Sequence, residues 1–162
     1  MKTNAPKPTV EPVLSLEITP SCNPPDVKVQ FSKIVGVDAA GNRTTLGYCV
    51  QCESMDWSQT VPTLAPADAV RNKNGKLNWT RPVARAEADA FRQFLQSALI
   101  NPIPETRYIV DGTQCILTIN NGCNRVVYEW SVPVPPQWLA IQKIVDSLLR
   151  WSEIPQEWAQ EL

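Results

Sequence analysis

The side chains that most invite a chemical reading of this 162-residue chain are its five cysteines and a few carboxylates, because it contains no histidine. Cys49 and Cys52 form a C-x-x-C. Tetrahedral zinc takes two such turns, each giving two thiolates, and no second pair exists here. A thioredoxin-like redox pair needs the motif at a helix start, where the dipole lowers a thiol pKa. The residues around Val50 and Gln51 read as strand instead. No metal and no cofactor is expected. Cys22, Cys49, Cys52 and Cys123 remain candidates for a disulfide of undetermined pairing, with Cys22 in a proline-flanked loop. Cys115 is expected on the face of a hairpin opposite to Cys123, so those two are not partners.

The carboxylates offer little more. Asp111 with Glu129 or Asp146 would suit the acid and base of glycosidic chemistry, but Asp before Gly is first a turn former, and Glu129 falls on the solvent side of a strand. Without histidine no Ser or Cys triad of the familiar sort can be assembled, and no glycine-rich phosphate loop is present. The chain reads as a non-enzyme. Asn42-Arg43-Thr44 and Asn78-Trp79-Thr80 match the N-glycosylation pattern, a match that arises by chance in an asparagine-rich chain.

The elements that would position these groups follow from periodicity. Met1 to Pro12 is a Pro-, Lys- and Thr-rich lead, read as a flexible tether, and residues 13–162 as one domain. Val13 to Thr19, Val27 to Val35 and Thr44 to Val50 alternate as strands, with a bulge near Lys33 and Ile34 and a turn at Ala40, Gly41 and Asn42. Glu53 to Arg81 loses periodicity and reads as one long loop carrying Trp57 and Trp79. Pro82 is expected to open a helix whose apolar face is Ala84, Ala88, Phe91, Leu95 and Ala98.

The second half is more regular. Tyr108 to Val110 is a short strand, and Asp111 and Gly112 are turn residues. Gln114 to Ile119 and Cys123 to Ser131 form a hairpin about Asn121 and Gly122, with Cys115, Leu117, Ile119, Val126, Tyr128 and Trp130 on one face. After Pro133, Pro135 and Pro136 a second helix places Trp138, Ile141, Ile144, Val145, Leu148 and Leu149 in an apolar stripe. It is expected to cover the Leu117 to Trp130 face and to end at Ile154 and Pro155. The fold class is α+β, an antiparallel sheet of about six strands built from hairpins with two main helices on one face.

Composition bounds the partner. Fifteen Lys and Arg against sixteen Asp and Glu leave no basic field for nucleic acid, and no run of about 18 apolar residues spans a bilayer. The leading function is therefore a protein that binds another protein, of the inhibitor or immunity type. Its expected contact set is Trp57, Arg71, Lys73, Trp79 and Arg81, since Trp and Arg dominate interface hot spots. The alternative is an anchored, lipoprotein-like envelope domain with a structural or ligand-binding role. On either reading the bacterial periplasm or envelope is the compartment slightly favoured.

Overall fold

The computed structural model describes residues 7–20, 26–55, 65–100, 113–121 and 123–154. The expected strand at Tyr108 to Val110, its turn at Asp111 and Gly112, Cys22, Trp57 and the tail beyond Ile154 lie outside the described residues. The elements are β1 (Thr9–Thr19), β2 (Val27–Val37), β3 (Arg43–Met55), β4 (Val70–Arg71), β5 (Lys76–Val83), α1 (Arg85–Ser97), β6 (Gln114–Asn121), β7 (Asn124–Ser131) and α2 (Leu139–Ser152). The strands form one antiparallel sheet in the order β4-β5-β3-β2-β1-β6-β7. This is the expected α+β plan, with seven strands where the sequence suggests about six.

Alternation sorts the sheet into two sides. Leu14, Leu16 and Ile18 of β1 stand beside Phe31, Val29 and Val27 of β2, and on the other flank beside Ile119, Leu117 and Cys115 of β6. Opposed residues of an antiparallel ladder share a face, so these rows build one apolar surface, and every one of these side chains except Ile119 is buried. Both helices lie on it. Phe31 at its centre meets Phe91 of α1 edge-on at 5.4 Å and stacks on Trp151 of α2 at 5.4 Å. The opposite side is polar. The Gln30 amide donates to Ser32 and to Gln51, and Lys28 pairs with Glu17 at 2.6 Å.

Several expectations need correction. β1 begins at Thr9, so residues 9–12 belong to the sheet and not to a flexible lead. Glu11 holds them there, its carboxylate gripped by Lys33 at 3.0 Å and by Arg43. A bulge between Pro12 and Leu14 accommodates the proline, which cannot donate to the ladder. The bulge expected near Lys33 and Ile34 is found between Ile34 and Val35.

The long loop is the largest misreading. β3 runs on through Cys52 to Met55, and β4 and β5 form a further hairpin, with Leu77, Trp79 and Val83 directed at the helices. Pro82 belongs to this strand and pairs with Cys49, and α1 starts three residues later. It is tolerated because β4 ends short of it, leaving β5 an edge strand there.

The turns at the β2–β3 and β4–β5 junctions are copies of one device. Asp38 Oδ1 accepts from the N–H groups of Ala40 and Asn42, and Asn72 Oδ1 accepts from those of Asn74 and Lys76. Gly41 and Gly75, at φ 85° and 78°, donate back to the carbonyls of Asp38 and Asn72. This is the three-residue hairpin loop closed by a left-handed glycine.

In the β6–β7 hairpin Asn121 pairs with Asn124, Ile119 with Val126, Leu117 with Tyr128 and Cys115 with Trp130. A turn at Asn121 and Gly122 would set Ile119 against Asn124, a difference of two residues. A shift of two preserves every face, so the expected apolar row survives the wrong register.

α2 shows the expected stripe, with Ile141, Ile144, Val145, Leu148 and Leu149 buried. Its position differs from expectation. Trp138, just before it, packs against Tyr128 and Trp130 of β7, but the helix then runs over β2 and β3 to β5, where the Ser152 carbonyl accepts from Trp79 Nε1 at 2.8 Å. Fourteen helical residues cover about 21 Å and the five strand spacings from β7 to β5 about 24 Å, so one helix crosses nearly the whole sheet. It ends in a Schellman turn: Glu153, left-handed at φ 59°, donates to Arg150, and Ile154 donates to Leu149.

Candidate functional site

The residues proposed for partner contact divide when placed on the fold. Trp79 is 5% exposed, its ring among the core side chains and its indole N–H committed to Ser152. It supports the helix end and has no surface for a partner. Arg81 lies on the same face between Asp68, which accepts at 2.7 and 3.0 Å, and Glu153, which accepts at 2.7 Å. Those hydrogen bonds, with Asp68 first, raise the guanidinium pKa, and that from Arg81 lowers the pKa of Asp68. Arg71 and Lys73 are exposed on the β4–β5 hairpin. The four described residues of the set are therefore not one surface, and Trp57 lies outside the described residues.

The cysteines are also separated. Cys49, Cys52, Cys115 and Cys123 are free thiols, and Cys22 lies outside the described residues. Cys49 and Cys52 lie three apart on β3 and so point to opposite faces, while Cys115 is buried and Cys123 exposed. Burial pushes the Cys52 and Cys115 thiols up to about 12 and raises Cys49, so none of the three is thiolate near neutral pH. Among the described residues no group of three or more Cys, Asp or Glu is placed to hold a metal ion. Glu129 lies on the polar side of the sheet, where it accepts from the Gln114 amide, and Asp146 lies on the helix side, so the two carboxylates do not share a site.

What the fold does assemble is a groove between α1 and α2, of about 850 Å³. α1 turns Ala88 and Phe91 into the core at a spacing of three and leaves Phe94 and Ala90 at the groove wall. α2 contributes Leu149 and Trp151. The floor is aromatic: Phe91 meets Trp151 edge-on at 4.9 Å and Phe94 at 6.4 Å. The rim is charged and balanced. Lys143 lies over Phe94 and Arg150 over Trp151, while Arg150 reaches Glu87 across the groove at 3.6 Å and Asp146 accepts from Gln142. Trp151 Nε1 is shielded from solvent and has no acceptor among the described residues. Ser147, which also lines the groove, donates its hydroxyl to the Lys143 carbonyl. The groove thus combines apolar area with paired charges at its rim.

A second, smaller cleft of about 510 Å³ is lined by Glu11, Lys33, Arg43 and Arg92. Glu11 is already shared by two cations there, and Arg92 donates to the Tyr48 hydroxyl, which donates to Asp89. Its polar groups serve mainly to close one end of the sheet.

Phe91 is legible in sequence as a core position, whereas Phe94 and Trp151 stand outside the two expected stripes. Their signal was available as aromatic residues at the flank of an apolar face. No family model, no curated protein and no solved structure matches this chain.

Proposed function

We propose that this protein is a non-enzymatic binding module that receives an amphipathic segment of another protein in the groove between α1 and α2. The observation that carries this reading is the aromatic floor of Phe91, Phe94 and Trp151 framed by the charges of Lys143, Asp146, Arg150 and Glu87. Tryptophan and arginine at the centre of a concave apolar surface are the anchors of binding hot spots, and a helix laid in a groove is a recurrent way to use them. An inhibitory or immunity-type role would follow if the captured segment belongs to a partner's own working surface.

Ala90 is exposed at the wall, so Ala90→Arg obstructs the groove without entering the core. In affinity capture from the source organism, the wild type retains a specific protein and A90R loses it, while both melt at the same temperature. Hydrogen exchange in the recovered complex is then slowed in α1 and α2. Equal capture by A90R, or protection confined to the sheet, overturns the reading.

A further inference from the structure

Strand β7 is one margin of the sheet, and among the described residues no strand pairs with its outer side. The two margins are finished differently. At the other, β4 is only two residues long, and beyond it Pro82 sits in the outer row of β5. A short strand and a proline are both devices that blunt an edge. β7 has eight residues and no proline, and Val126 and Val127 at its middle are 47% and 46% exposed, one on each face.

The charges along β7 match themselves when the strand is reversed. Arg125 and Glu129 stand two residues to either side of Val127 on one face, and neither makes an ion pair among the described residues. We propose that β7 is a self-pairing edge, on which a second copy of this chain adds antiparallel about a two-fold axis through Val127. In that register each Arg125 stands opposite Glu129 of the other copy, twice, with the two Val127 side chains between them. On the other face each Val126 stands opposite Tyr128 of the other copy. Directly opposed residues share a face, so both ion pairs and both apolar contacts form whichever phase of the hydrogen-bond ladder is used. A single patch serves both subunits, as a two-fold interface requires. One strand edge falls at the small end of specific interfaces, so the pair forms reversibly with concentration. This surface is separate from the groove and does not depend on it.

Sedimentation velocity of the full chain over roughly a hundredfold concentration range tests the proposal. The weight-average mass of the wild type rises from 18.1 kDa toward twice that value. Arg125→Glu and Glu129→Arg each set like charges opposite one another twice and weaken the dimer by about tenfold or more. The double variant R125E/E129R restores it, because the pairs reform with their signs exchanged. Circular dichroism melts at the wild-type temperature show that all four proteins are folded. A wild type that stays at the monomer mass, single variants that dimerise as well as wild type, or a double variant that fails to recover would each overturn the proposal.

Discussion

Trp79 shows how much one side chain contributes here. Its ring fills the core beside Cys52, and its N–H is the bond by which β5 holds the end of α2, 73 positions away in sequence. Trp79→Ala removes the ring and leaves the Ser152 carbonyl without its donor, so the expected loss is about 3–5 kcal/mol in chemical denaturation. A change below about 1 kcal/mol would mean that the ring is not a core anchor. Arg81 was hard to read for a related reason. An arginine at an inward position breaks the alternation of Leu77, Trp79 and Val83, and only Asp68 and Glu153, far apart in sequence, make that position acceptable.

At the level of elements, the two copied turns explain why the β2–β3 and β4–β5 hairpins fold in register. Asp38 carries the first, and its carboxyl lies below its ordinary 3.8 because the Asn42 side chain and then the Asn42 backbone N–H donate to it. A lowered folded-state pKa adds stability that is complete above about pH 3.8 and disappears as pH falls through the lower folded value. Asp38→Ala should therefore melt below wild type at pH 7, and the gap should close under titration to about pH 2–3. A gap independent of pH would mean that the carboxylate is not the stabilising group. Helix α2 was legible because its stripe is wide and its neighbours are prolines. β5 was not, since Pro82 and four polar residues disguise a strand whose identity depends on β3 beside it. The groove was least legible of all, because β6 and β7 separate α1 from α2 in sequence and only the sheet brings Phe94 and Trp151 together.

For the whole molecule, the course of α2 matters more than its sequence. The chain lays down β1, β2 and β3 as a meander, adds the β4–β5 hairpin with β5 against β3, crosses through α1, and adds β6 and β7 beyond β1 on the other flank. Trp138 fixes α2 to that later hairpin and Ser152 fixes it to β5, so the two flanks share one tie. Inner amides of β1, β2, β3 and β6 should then exchange through one common opening. Native-state hydrogen exchange in rising denaturant checks this, and separate opening energies for β6 and for β2–β3 would contradict it.

Pro82 has a consequence at the same scale. A sheet with two receptive margins adds molecules without limit and grows into a filament. Among the described strands this one is blunted at the β4–β5 margin, so growth through β7 consumes the remaining receptive margin and polymerisation stops at the first step.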